Sequence, residues 1–212
     1  MATDPRLKKW LERPYSWSQH SSFDYSYQQW FEKYILGQEQ KETAQLKFGK
    51  EFAKAVEDGT HKAPVLRFSN VEHEIRVSHP DGFPMVGVLD SWEPTPPTIG
   101  ELKTGVKPWD QKRVDNHGQL TYYCMLLFLK EKIKAEDIKI TLQWLPTAFH
   151  GDFSYDFSNK ETPAVHTFET TRTTLDVLTM LSDIKTARKN MEKYALQRLG
   201  ELSTAPLPPQ AS

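Results

Sequence analysis

Residues 87–104 read GVLDSWEPTPPTIGELKT. Gly87-Val88-Leu89 runs into Asp90, and Thr98-Ile99-Gly100 runs into Glu101-Leu102-Lys103, with a proline-rich turn between the two stretches. In a strand, residues two apart share a face. Glu101 and Lys103 therefore point the same way, and Asp90, near the end of the preceding strand, can stand beside them. A strand inside a helix-covered sheet is normally almost wholly apolar, so charge at these positions is costly unless it binds something. A hard divalent cation satisfies both acids. Mg²⁺ is commonly held by one or two carboxylates with water and phosphate, and it suits this pair better than zinc, which would call for His or Cys. The plain alternative is that Asp90 opens a turn before Trp92-Glu93-Pro94, while Glu101 and Lys103 form an ordinary salt bridge on an exposed face.

The surroundings of this stretch set its architecture. VLRF, VEHEIRV and FPMVGVLDSW lead into TIGELKT between Val65 and Thr104. They are rich in β-branched and aromatic residues and punctuated by Pro, Gly, Asn and Asp, which predicts a strand meander. Upstream, Ser22–Leu36 repeats Phe23, Tyr27, Trp30, Phe31 and Tyr34 at helical spacing behind a Ser22 cap. Thr43–Glu57 forms a second helix whose small Gly49 and Ala53 permit close approach, and Asp58-Gly59 ends it. Downstream, Val114–Lys134 is long and apolar enough for a buried helix. Strands follow at 138–145 and 164–169, and a charged, periodic helix at 172–199. The expected fold is α/β, a mixed central sheet flanked by helices in the order α-α-β-β-β-α-β-β-α. Residues 1–200 are expected to form a single domain, and residues 201–212 a Pro-rich disordered tail.

Composition narrows the function classes. A chain of 212 residues carries one domain of ordinary size. No run approaches the roughly 18 apolar residues of a membrane helix, and the opening MATDPRLKKWLERPYSW lacks the features of a secretory or transit leader. An intracellular, cytoplasmic protein is expected. Cys124 is the sole cysteine, which excludes an intrachain disulfide framework and an iron–sulphur cluster. Lys+Arg 27 against Asp+Glu 28 gives a net charge of -1, so affinity for nucleic acid must come from a local patch.

Gln119 and Tyr122 follow the Glu-x-Lys strand, three residues apart and therefore neighbours on one helical face. The ordered set G-x-x-D at Gly87–Asp90, E-x-K at Glu101–Lys103 with Thr104-Gly105 behind it, and Q-x-x-Y at Gln119–Tyr122 resembles the PD-(D/E)XK nuclease superfamily, specifically its RecB-like exonuclease branch. The resemblance covers roughly Ser22 to Leu129 and implies a restriction-endonuclease-like core. It further implies that Asp90, Glu101 and the main-chain carbonyl of Leu102 hold Mg²⁺ or Mn²⁺. Lys103 would orient or help deprotonate the attacking water, and Gln119 and Tyr122 would contact the nucleic-acid strand. Such a cation lowers the pKa of bound water and neutralises charge on the phosphodiester.

The chain departs from that pattern where the second helix usually carries His or Glu four residues after its glycine. Ala53 stands there, with Glu57 one turn further on the same face and Glu51 nearly opposite. Leu89 replaces the proline before the aspartate. His73 shares its strand face with Val71, Ile75 and Val77 and reads as a structural histidine. The six tryptophans are mostly core, and Trp109 lies in a basic loop with Lys107, Lys112 and Arg113 that suits phosphate contact and base stacking. The leading expectation is a metal-dependent deoxyribonuclease, exonuclease-like, acting on single-stranded DNA or duplex ends in recombination, repair or phage DNA processing. A bacterial or phage-infected cell would be its setting. The competing expectation is a nuclease-fold module that binds DNA or a protein partner with weak or no catalysis; the sequence leaves the oligomeric state open.

Overall fold

The computed structural model describes residues 4–39, 41–60, 65–66, 68–146 and 165–204. Its elements are α1 (Pro5–Leu11), α2 (Trp17–Tyr25), α3 (Tyr27–Tyr34), α4 (Ala44–Glu57), β1 (Asn70–Ser78), β2 (Pro84–Pro94) and β3 (Pro97–Gly105). They are followed by α5 (Gln111–Asp115), α6 (Gly118–Glu131), β4 (Lys139–Pro146), β5 (His166–Thr170) and α7 (Thr174–Thr204). The architecture is α/β, a five-stranded sheet in the order β1-β2-β3-β4-β5, flanked by helices. It is mixed: β2 and β3 are antiparallel, β3 and β4 parallel, and β4 and β5 antiparallel. The chain divides into two compact units, one from the described residues of Met1–Gln40, Ser78–Met85 and Leu181–Ser212, the other from those of Lys41–Val77 and Val86–Met180.

In the second unit α4 seats Phe48, Phe52 and Val56 on Leu145, with Leu102 packed at the edge of the cluster. Each buried phenylalanine contributes about 2 kcal/mol of apolar burial. The close approach expected at Gly49 is present, since a Cβ there would lie 3.3 Å from Thr104 Oγ1. Leu102 and Thr104 thus face α4, which turns Glu101 and Lys103 to the other side of the strand. There α6 buries Leu120 and all six residues from Tyr122 to Leu127, apolar around its whole girth as a central helix must be. It presses on β2 at Gly87, where a Cβ would meet Leu126 Cδ1 at 2.5 Å.

In the first unit an aromatic cluster does the same work. Trp10 meets Trp30 edge to face at 5.4 Å, and Phe23 meets Trp30 at 5.1 Å and Tyr194 at 6.2 Å.

Several expected boundaries move. The first helix breaks at Ser26, whose extended backbone ends α2 and whose hydroxyl caps α3 through Gln29 N–H; Ser22 lies inside α2 instead of capping it. The 114–134 helix breaks at His117 into α5 and α6, and the guanidinium of buried Arg172 reaches the carbonyls of Val114 and His117 at 3.0 and 3.4 Å, alongside the backbone N–H groups they already accept. Val65, Leu66 and Phe68 are not in a strand, and the Leu66 N–H is taken by the Gln143 side chain at 2.7 Å. The last helix continues through 201–204, so the expected tail is helical at its start and otherwise lies outside the described residues. Ala164, expected to start a strand, also lies outside them.

Candidate active site

The β2–β3 ladder pairs Glu93 with Thr98, Trp92 with Ile99 and Ser91 with Gly100, so Asp90 and Glu101 are the next residues in that register. Close packing makes the register possible: a Cβ on Gly100 would lie 2.1 Å from Ser91 Oγ and 2.3 Å from the Phe68 ring. One step on, Asp90 Oδ2 accepts the Leu102 N–H at 2.7 Å, locking the carboxylate against the next strand. Lys103 Nζ donates to Glu101 Oε1 and, at 2.9 Å, to Gln119 Oε1. Gln119 Nε2 in turn donates to the Tyr123 hydroxyl at 2.8 Å. Asp90, Glu101, Lys103 and Gln119 line one cavity of about 580 Å³, which Gly49 and Ala53 of α4 also line.

Glu101 is only 2% exposed, and its Oε2 has no hydrogen-bond partner. Burial pushes its carboxyl up to about 8, with Lys103 opposing that shift and Asp90 reinforcing it. Burial also raises Asp90, against the Leu102 N–H and the Lys103 charge. A buried carboxyl beside a half-buried one, with a single ammonium against them, is an arrangement a fold avoids unless another charge enters. Among the described residues no three His, Cys, Asp or Glu side chains converge closely enough to hold a metal by themselves. The donors present still fit a hard cation of the Mg²⁺ class: two carboxylates, one with a free buried oxygen, and a neighbouring main-chain carbonyl, leaving room for water and phosphate.

No family profile and no curated protein matches this sequence. Its backbone is similar to that of a candidate exonuclease from Eubacterium rectale, with a TM-score of 0.57 and 12% identity over 100% of this chain and 97% of that one. It is also similar to that of a phage-related exonuclease from Haemophilus somnus 129PT, with a TM-score of 0.50 and 14% identity over 92% of this chain and 93% of the other. What is shared with both structures is the fold, a mixed α/β sheet flanked by helices.

Not every expected residue faces the cavity. Tyr122 is fully buried and donates its hydroxyl to the Val86 carbonyl at 3.0 Å, so it ties α6 to β2 and cannot touch a strand of nucleic acid. Tyr123, one residue on, carries the link to Gln119 instead. The expected 106–113 loop ends at Asp110, the cap of α5, so Lys107 lies in the loop and Lys112 and Arg113 in the helix; Lys107 and Lys112 are exposed. Arg113 is committed to the loop itself, stacked 3.8 Å over Trp109 and donating to the Pro108 carbonyl at 3.0 Å. Trp109 is 8% exposed and packs on His117, which removes it as a base-stacking surface. Neither substitute for the helix ligand lines the cavity: Glu51 pairs with Lys47 at 3.8 Å on the surface, and Glu57 is exposed.

One carboxylate was not foreseen. Alternation along VEHEIRV puts Glu72 on the outer face with Glu74 and Arg76, and it is exposed there, with a left-handed φ of 49°. Val71 is 44% exposed while His73, Ile75 and Val77 stay inward. Partial desolvation raises Glu72, and the charges of Asp90 and Glu57 raise it further, so it belongs to the same electrostatic group. No sequence signal marks a left-handed glutamate.

Proposed function

We propose that this protein is a Mg²⁺- or Mn²⁺-dependent deoxyribonuclease, exonuclease-like, hydrolysing phosphodiester bonds in single-stranded DNA or at duplex ends. The observation that carries the reading is the buried, unpartnered Glu101 Oε2 beside Asp90 and Lys103 in an open cavity. Asp90, Glu101 and the Leu102 carbonyl would hold the cation, which when bound supplies Lewis acidity toward the phosphodiester and acidifies water. The protein's own contribution is positioning. The Leu102 N–H fixes one oxygen of Asp90, and Lys103 is held between Glu101 and Gln119, where its ammonium can orient an attacking water and exchange a proton with it. Gln119 would set the height of Lys103 above the strand and meet the nucleic acid at the cavity rim. Lys107 and Lys112 would add phosphate contacts. A role in recombination, repair or phage DNA processing inside a bacterial cell is in keeping with this chemistry. Among the described residues no helix is long and apolar enough to cross a membrane.

Ala53 favours a second reading, a nuclease-fold module that binds DNA or a protein without turnover, because α4 brings no ligand to the cavity. Incubating the protein with end-labelled single- and double-stranded DNA in Mg²⁺, Mn²⁺ or chelator separates the two. A metal-dependent ladder or mononucleotide release supports the nuclease, and intact DNA in every condition sinks it.

A further inference from the structure

The first unit holds a cavity of about 390 Å³ that the chemistry above does not use. Helix α1 and the residues just past it supply Arg6, Lys9 and Arg13 at spacings of three and four, along one side. The end of α3 supplies Lys33 and Tyr34 on the other. Trp10, 1% exposed, forms part of the lining. No Asp or Glu lines this cavity. Arg6 is neutralised by Asp4 through two bonds of 3.0 and 2.7 Å, whereas Lys9, Arg13 and Lys33 form no ion pair with any described residue. Arg13 and Lys33 both crowd the face of Tyr34, 5.6 and 5.1 Å from its centroid, so two like charges share one ring with no anion between them.

A protein of net charge -1 that gathers three unpaired cations, Lys9, Arg13 and Lys33, into one concavity has built there the attractive field its surface as a whole lacks. The ligand must be anionic, with charges distributed along the groove. We propose that this cavity binds the phosphates of a single nucleic-acid strand. The choice of nucleic acid as the polyanion rests on the nuclease reading; the anion site does not. A membrane surface fits less well, because the cationic site is concave and, of its apolar residues, Ile35 and Trp10 are buried instead of protruding.

The test uses the full chain in chelator, so that nothing is cut. Anisotropy of a fluorescein-labelled oligothymidylate is measured across a salt series for wild type, for Lys9→Gln and Lys33→Gln singly, and for Lys9→Gln/Arg13→Gln/Lys33→Gln. Each neutralised contact should reduce the steepness of log K against log salt by about 0.7. The triple variant should therefore lose about 2 from the slope and at least about tenfold in affinity at low salt. The single substitutions are on exposed side chains and keep the test valid if the triple variant melts early. Unchanged slope and affinity in the single variants would overturn the proposal. So would loss of sedimentation with phosphatidylserine vesicles while oligothymidylate binding stays as in wild type. Failure of the nuclease reading is seen separately, as absence of cleavage by wild type in Mg²⁺ or Mn²⁺, and leaves the binding result standing.

Discussion

Lys103 Nζ sits 2.9 Å from Gln119 Oε1 while its second bond goes to Glu101, so the ammonium beside the two carboxylates is held by a strand neighbour and a helix at once. The cation also fixes which way the Gln119 amide points, since its oxygen must face Lys103 and its nitrogen is then left to donate to Tyr123.

Lys103→Met should therefore act on rate more than on binding. Turnover on labelled DNA should fall at least about a hundredfold, with affinity in chelator changed by less than about threefold. If binding fell in step with rate, Lys103 would be a phosphate anchor.

Glu101→Gln and Asp90→Asn should both abolish metal-dependent cleavage. Glu101→Gln should also raise the melting temperature in chelator, by roughly 2–5 °C, because it removes a buried ionisable oxygen that has no partner while keeping an acceptor for Lys103. Calorimetry with and without Mg²⁺ checks this: wild type should gain stability on adding the cation, and the variant should not. Full activity in either variant would remove these residues from the site.

Tyr122→Phe separates packing from contact. The variant leaves the half-buried Val86 carbonyl without its hydroxyl donor and should cost about 1 kcal/mol in urea unfolding. Affinity for single-stranded DNA should be unchanged, and a marked loss of affinity would return Tyr122 to the interface.

His117 supplies a pH dependence. Burial pushes its pKa down to about 4, and the positive charges of Lys103, Arg113 and Arg172 add to the effect. The unfolded chain takes up a proton on this ring near 6.5, whereas the folded chain does so only near 4, so stability falls as pH drops through that window. His117→Phe should flatten the change in urea midpoint between pH 6.5 and pH 4 relative to wild type. Parallel curves for the two proteins would show that His117 does not titrate in this way.

What the sequence discloses follows the regularity of each element. Asp90, Glu101 and Lys103 were legible because a strand has a period of two, and charge breaking an apolar strand is conspicuous at any register. Gly49 was legible because its small size has one use on a helix face. The facing of Tyr122 was not legible. In α6 nearly every position is buried, so periodicity carries no direction, and a shift of one residue rotates the expected contact by about 100° onto Tyr123. The break at His117 is tied to a distant partner, Arg172, which no local pattern contains, and the break at Ser26 sits inside an aromatic repeat that runs on across it. Glu72 escaped for the opposite reason: its neighbours alternate well, and nothing in that pattern marks the left-handed φ of 49°.

The bond from Leu102 N–H to Asp90 Oδ2 has a spectroscopic consequence. An amide proton held by a carboxylate shifts downfield and exchanges slowly while that carboxylate is ionised and in place. The Leu102 cross-peak in a proton–nitrogen correlation spectrum is thus a built-in gauge of the state of Asp90, readable without a substrate or a label. Its protection against deuterium exchange should disappear in Asp90→Ala, even where the rest of β3 keeps its ladder.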